Sequence, residues 1–293
     1  MSTREKTRGM LGILLATVLF SSNGVLVKWI PGHPLAISGL RSLLAIPVLL
    51  LFLRKPRFTW SGVQVGAALA YAGMVIGFVT ATRLTTAANA VVLQYSSPIY
   101  VALLSGWMLN ERMSRLDWLT IVCVLGGVLL FFLDRLSPSG LAGNLIALGS
   151  GLSSALLLIF LRKQKHGSPA ESIVLGNIIA AAVGLPFMVT AFPPRSAWPG
   201  ILMLGVFQLG IAYVIYTRAI KKVTALEAVV IKGLEPILNP LLVYLFIGER
   251  PGPWALCGAA IVFSAVSVRS VLSSVGMRTG RNGSVRRGKS NLP

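Results

Sequence analysis

About ten stretches of this chain are long and apolar enough to cross a bilayer, and they leave little sequence over. They lie near residues 10–30, 36–53, 61–82, 87–109, 116–133, 141–161, 169–191, 199–217, 225–247 and 254–272. Within lipid no water satisfies a peptide group, so segments of this length read as helices that bond their own backbone. The links between them are short and carry Pro, Gly or basic residues, which leaves no room for a separate soluble domain. With 55% hydrophobic and 12% charged residues over 293 positions, most of the outer surface must face something other than water. The sequence therefore predicts an all-α integral membrane protein.

A net charge of +19 would suggest nucleic acid in a soluble protein, but here the placement of the charges argues otherwise. With a cytoplasmic amino terminus, one side of the membrane collects Arg4, Lys6, Arg8, Arg54, Lys55, Arg57, Arg112, Arg115, Arg162, Lys163, Lys165, Arg218, Lys221 and Lys222, besides a basic tail. The opposite side holds Arg83, Arg135, Arg195 and Arg250. Such asymmetry follows the positive-inside rule, so both termini are expected in the cytoplasm of a bacterial cell, the chain lying in its plasma (inner) membrane. Nucleic acid is not an expected partner; membrane lipids are. The tail after Val275 either meets anionic headgroups or is a disordered end that enforces topology. The basic start followed by MLGILLATVLF imitates a secretory signal but lacks a small-x-small cleavage site, so an uncleaved first helix is expected. Cys123 and Cys257 read as buried thiols, with neither a disulfide framework nor a metal site.

The chain is written twice. NAVVLQYSSPIYVALLSGWMLNER (89–112) and EAVVIKGLEPILNPLLVYLFIGER (227–250) share the AVV triplet, Pro98/Pro236, Ile99/Ile237 and a closing Glu-Arg, at 111–112 and 249–250. HPLAISGLR and SPAESIVLGN each open a span with proline at the first turn, and Ser168 and Glu171 have capping-box spacing. Four segments follow: a cytoplasmic amino terminus (1–9), a first five-helix repeat (10–133), a second (141–272) and a basic tail (273–293). Five is odd, so the second copy must enter the membrane inverted, and ten helices in two inverted repeats suggest a transporter.

Polar residues at membrane depth mark the candidate site. Lys232, Glu235 and Asn239 are spaced i, i+3, i+7, a single stripe on a continuous helix, and the first two are close enough to pair. The repeat-equivalent positions are Gln94, Ser97 and Val101. Pro98, Pro236 and Pro240 each remove a backbone donor and free a carbonyl one turn earlier, as expected of hinge or gating positions beside a wet cavity. The Lys232–Glu235 pair either locks its helix to a neighbour or lines a cavity that meets substrate. Arg41, a third of the way into the second span without a nearby acid, either binds an anionic group or satisfies backbone carbonyls. Ser21, Ser22 and Asn23 either pack helices or face the cavity. Tyr71, Tyr95 and Tyr213 are placed too deep for interfacial anchors and read as cavity residues with Gln208, while Lys28 is expected to snorkel to headgroups. Gly126-Gly127 and Gly258 predict close helix contact, within the chain or in a homodimer.

From residue 9 to 272 the chain resembles the EamA-type transporters of the drug/metabolite transporter superfamily, through VVLQYSSPIYVALLSGWMLNERMS, VVIKGLEPILNPLLVYLFIGERPG, SSNG (21–24) and Arg41. The resemblance implies ten helices, inverted halves, and a central cavity lined mainly by spans 1, 3, 4, 6, 8 and 9. It also implies a substrate among amino acids, other small metabolites or drugs, often exported. Lys232 stands where it leads one to expect a neutral residue. The expected function is thus secondary-active export of a small polar or amphipathic metabolite such as an amino acid, by alternating access. An organic-anion or drug carrier of the same fold, and a non-transporting scaffold or lipid-interacting protein, are the alternatives. No GxxxxGK[ST] stretch and no HExxH motif occur, so no ATP site, cofactor or enzyme activity is expected.

Overall fold

The computed structural model describes residues 3–53, 56–108, 115–130, 133, 138–164, 169–219, 222–223, 231–265 and 267–268. Glu111, Arg112, His166, Ser168 and the tail 273–293 lie outside them, and with them the first Glu-Arg pair and the proposed capping partner of Glu171.

The described residues are mostly helical, with no strand among them. In chain order the helices are α1 (Thr3–Ser21), α2 (Asn23–Trp29), α3 (Pro34–Leu53), α4 (Gly62–Leu84), α5 (Ala87–Gln94), α6 (Ser97–Met108) and α7 (Arg115–Leu130). Then come α8 (Pro138–Lys163), α9 (Pro169–Thr190), α10 (Trp198–Leu202), a π-helical stretch (Met203–Ile211), α11 (Ala212–Ala219), α12 (Glu235–Ile247) and α13 (Pro253–Ala265). Among the described residues, six spans are long and apolar enough to cross a membrane, counting α1 with α2 and α10 with α11 as one each. Shorter apolar helices occupy Trp118–Leu130, α12 and α13. The protein is a multi-pass membrane protein.

Local chemistry sets the helix ends. The Ser61 hydroxyl accepts from the Gln64 amide at the start of α4, and the Thr86 hydroxyl from the Asn89 amide at the start of α5. Gly248, at φ 78°, closes α12 in the left-handed conformation that glycine adopts without steric cost. Gln64 Oε1 accepts from the Thr59 and Trp60 amides and pins the turn before α4. Glu171 likewise turns outward from its helix, its carboxylate accepting from the Arg57 amide 3.1 Å away.

Lipid supplies no hydrophobic drive between helices, so close backbone approach must do the work. A Cβ added to Gly184 of α9 would lie 2.6 Å from the Gly39 Cα of α3, which shows how tightly those helices cross. A Cβ on Gly127 would lie 3.0 Å from the Gly258 carbonyl oxygen, so this glycine pair joins α7 to α13 within the chain. The outward faces are apolar: Leu51 and Trp107 are each 82% exposed. All six tryptophans sit at or near helix ends, as in an interfacial belt. Cys257 is exposed on this outer surface and Cys123 half-buried, which corrects the expectation of two buried thiols; Gly258, not its neighbour, is the residue turned toward α7.

Candidate functional site

Three spans are interrupted at the same place in the fold. The first breaks between α1 and α2 at Ser22, where the Thr17, Ser21 and Ser22 hydroxyls donate back to the Ile13, Thr17 and Leu19 carbonyls and compete with the helix. The fourth breaks at Tyr95–Ser96, one turn ahead of Pro98. The ninth turns at Gly233–Leu234, so Lys232 precedes the break while Glu235 and Pro236 open α12. A carboxylate in that first turn faces the positive end of the helix dipole.

Around these breaks lies a cavity of about 990 Å³. Its wall is mostly apolar and aromatic, with Phe20, Phe78 and Phe263 beside Leu157, Leu209 and Ala255. Asn23, Arg41, Gln94, Tyr95, Ser97, Gln208, Tyr213, Lys232 and Glu235 reach it, as do Pro98, Pro236 and Pro240. The lining comes from α1, α2, α4, α5, α6, α8, the π-helical stretch, α11 and α12; Arg41 adds α3, and α13 closes one side. Two residues of the expected set do not reach the cavity. Tyr71 is wholly buried in the core between α4 and α8. Asn239 is 1% exposed and turned toward Gly24 of α2, against which its helix packs.

The charged centre is built from several helices. Lys232 Nζ pairs with Glu235 Oε2 at 2.8 Å, and the same oxygen accepts from the Tyr95 hydroxyl at 3.0 Å. Lys232 Nζ also stands 4.9 Å from the Phe20 ring centroid and 5.8 Å from that of Tyr216. Phe20 packs edge-on to Tyr213, with centroids 5.1 Å apart, and Tyr213 edge-on to Tyr71. Tyr216, one turn beyond Tyr213, is grouped with Gln208 and Tyr213 by the sequence; Phe20, one apolar residue among many in its span, carries no such signal.

Arg41 forms a second pole. Its side chain is 1% exposed, and its terminal nitrogens donate to Asn23 Oδ1 and to the Val75 carbonyl, each at 2.9 Å. Neither partner carries a charge, and its Nε has no hydrogen-bond partner. The same holds for the Ser38 and Ser42 hydroxyls on its own helix and for Gln208 Oε1 on the π-helical stretch. Buried polar atoms without partners mark positions for water or a polar ligand group. The π-helical stretch lies against α3 here: a Cβ on Gly205 would sit 2.8 Å from the Arg41 carbonyl oxygen.

At the end of the bundle away from the amino terminus a polar cluster ties helix ends together. Lys28 Nζ pairs with Glu249 Oε2 at 2.7 Å and donates to the Thr85 carbonyl at 2.7 Å. Glu249 Oε1 accepts from the Ala87 amide at the start of α5. Lys28 therefore does not snorkel to headgroups; a carboxylate far away in sequence holds it.

Residues 7–133 and 141–271 each match the EamA-like transporter family. An uncharacterized transporter of Archaeoglobus fulgidus is 26% identical over 89% of this chain and 95% of its own length. The pseudopaline exporter CntI of Pseudomonas aeruginosa is 27% identical over 61% of this chain and 64% of its own. The human solute carrier family 35 member G1 is 25% identical over 88% and 77%. A crystal structure superposes with a TM-score of 0.61 over 92% of this chain and 99% of that one, at 19% identity, a likeness of fold alone. These relatives are transporters, not enzymes. Two matched segments cover nearly the whole chain, and it belongs to the EamA-like transporter family.

Proposed function

We propose that the chain is a secondary-active exporter of a small amphipathic metabolite bearing an anionic group, working by alternating access. One observation carries this reading. Among the described residues, the only formally charged side chains on the cavity wall are Arg41, Lys232 and Glu235, two cations against one anion, within a mostly apolar enclosure. A net positive centre walled by aromatic groups favours a carboxylate or phosphate on an apolar body. Lys232 and Arg41 meet the anionic group and Glu235 holds Lys232 in place. Amino acids and other organic anions fall within this class, and the exporter CntI among the relatives supports the direction.

The architecture belongs to the same proposal: two inverted five-helix halves, 10–133 and 141–272, with both termini cytoplasmic in the plasma membrane. The Ala87–Glu249 bond supports the inversion, because α5 begins at the end of the bundle where α12 finishes, although the two occupy equivalent places in the repeat. Broken helices meeting at a central site suit halves that rock about it.

The test is uptake and counterflow in proteoliposomes with a panel of carboxylates, comparing wild type with Arg41→Gln and Lys232→Gln. The reading expects loss of anion transport in both while each remains folded. Undiminished transport of an anionic substrate by Lys232→Gln would remove that residue from the mechanism, and loss of folded protein would assign the pair a structural role.

A further inference from the structure

The surroundings of Lys232 are those of a bound ligand rather than of a packed side chain. Its ammonium lies against a carboxylate, that carboxylate is held by the Tyr95 hydroxyl, and the faces of Phe20 and Tyr216 flank it. A carboxylate with two or more aromatic faces is the combination that recognises organic ammonium ions, through charge pairing and attraction to the ring quadrupole. The lysine is also the outer member of the pair, 39% accessible against 16% for Glu235. It is attached beside the Gly233–Leu234 turn, where the backbone bonds tighten to three-residue spacing, from the Leu234 amide to the Ile231 carbonyl and from the Ile237 amide to the Leu234 carbonyl.

We infer that Lys232 is a tethered cation occupying an organic-ammonium site made by Glu235, Tyr95, Phe20 and Tyr216, and that its presence sets the charge selectivity of the carrier. The inference rests on the reading of this cavity as the substrate site. With Lys232 in place, the wall carries a net positive charge and the carboxylate is taken, so a free ammonium compound finds no counter-charge. Without it, Arg41 and Glu235 balance, and an emptied cage with an unpaired carboxylate faces the cavity. One side chain thus separates an anion carrier from a cation carrier built on the same walls.

The experiment measures binding of two probes of similar size, phenylacetate and benzyltrimethylammonium, to the purified full-length chain in lipid nanodiscs. Wild type should bind phenylacetate and not the cation. Lys232→Met should gain affinity for benzyltrimethylammonium by about tenfold or more and lose affinity for phenylacetate by a similar factor. Adding Glu235→Gln to that variant should abolish the gain. Glu235→Gln alone should strengthen phenylacetate binding, since the glutamine amide oxygen still anchors the Lys232 ammonium while two cations are left unopposed, and still exclude the cation. A folded Lys232→Met that gains nothing, or a gain that survives Glu235→Gln, overturns the inference. Where Lys232→Met does not fold, weaker phenylacetate binding by Glu235→Gln alone overturns it. The two readings fail separately: wild type that binds phenylacetate in an Arg41-dependent way, with no cation gain in Lys232→Met, sinks only the tethered cation. A cation gain in a protein that never binds the anion sinks only the proposed substrate class.

Discussion

Replacing Glu249 by glutamine should open the cavity toward the end of the bundle away from the amino terminus. One carboxylate oxygen holds Lys28 Nζ at 2.7 Å and the other accepts from the Ala87 amide, so a single side chain joins α2, α5 and the end of α12. Lys28 adds a bond to the Thr85 carbonyl, and Arg83 donates to the Val27, Ile30 and Gly32 carbonyls around the end of α2. The pair is neither fully buried nor free in solvent, with side chains 19% and 20% accessible. Breaking a buried pair by removing one partner costs roughly 3–5 kcal/mol. A solvent-exposed pair is worth roughly 0.2–1 kcal/mol. An intermediate cost of about 2 kcal/mol shifts a closed–open equilibrium about thirtyfold. The assay places a cysteine at Ser97 on the cavity wall, in a chain with Cys123 and Cys257 changed to serine, and times its reaction with an impermeant thiol reagent from each side. Reagent supplied on the Lys28 side should react faster by about tenfold or more in Glu249→Gln, while reaction from the other side slows. Lys28→Gln should behave alike, and the exchange Lys28→Glu with Glu249→Lys should restore the slow rate. Unchanged rates in folded Glu249→Gln and Lys28→Gln would show that this cluster is a static brace and not a closure.

The other expectations concern neighbouring glycines, the carboxylate's second contact and the turn before α4. Gly127→Leu drives side-chain atoms into Val262 and the Gly258 backbone and should lower thermal stability by about 1–3 kcal/mol, whereas Gly126→Leu, with nothing within 4 Å, should be near neutral in the same melting experiment. Tyr95→Phe removes a hydrogen bond to a charged acceptor, worth roughly 1.5–3 kcal/mol, so it should weaken anion binding measurably by calorimetry while Lys232 keeps its partner. Gln64→Leu strands the Thr59 and Trp60 amides and should cost about 1–3 kcal/mol in thermal unfolding without changing probe affinity.

Features that depend on local spacing were readable from sequence, and those that depend on helix phase or distant partners were not. The Lys232–Glu235 pair is a short-range contact, and insertion cost alone makes two charges in an apolar run conspicuous. Arg41 stood out for the same reason, but its partners Asn23 and Val75 come from other helices. Asn239 lies away from the cavity because its helix packs against Gly24 of α2, a neighbour that spacing along one helix does not reveal. Tyr71 was correctly read as deep, yet depth does not distinguish a cavity wall from a helix interface. Lys28 and Glu249 are hidden from any local pattern: each sits near a span end, where a charged residue is ordinarily explained by headgroups.

The coincidence of breaks and cavity has a physical cause. An interrupted helix leaves amides and carbonyls without partners, and in lipid such groups persist only beside protein donors or water. The Ser22, Tyr95–Ser96 and Gly233–Leu234 interruptions all abut cavity residues, namely Phe20 and Asn23, Gln94 and Ser97, Lys232 and Glu235. Irregular backbone and cavity therefore require each other: the breaks need a polar or wet place to end, and the cavity needs helices that stop packing at that depth. Small polar side chains at the same points strengthen the argument. The Ser96 hydroxyl donates to the Leu93 carbonyl at 2.6 Å, and Gln94 Nε2 donates to Ser150, whose own hydroxyl donates to the Met74 carbonyl. At Ser22 and Ser96 a hydroxyl bonds back to the preceding turn, and backbone bonds bridge all three sites, from the Ser22, Tyr95 and Leu234 amides to the Val18, Val91 and Ile231 carbonyls. Replacing Ser96 by alanine tests that step: if the hydroxyl sustains the break, stability falls by about 1 kcal/mol in the melting experiment, and if the helix closes through Tyr95 instead, stability rises while carboxylate uptake is lost.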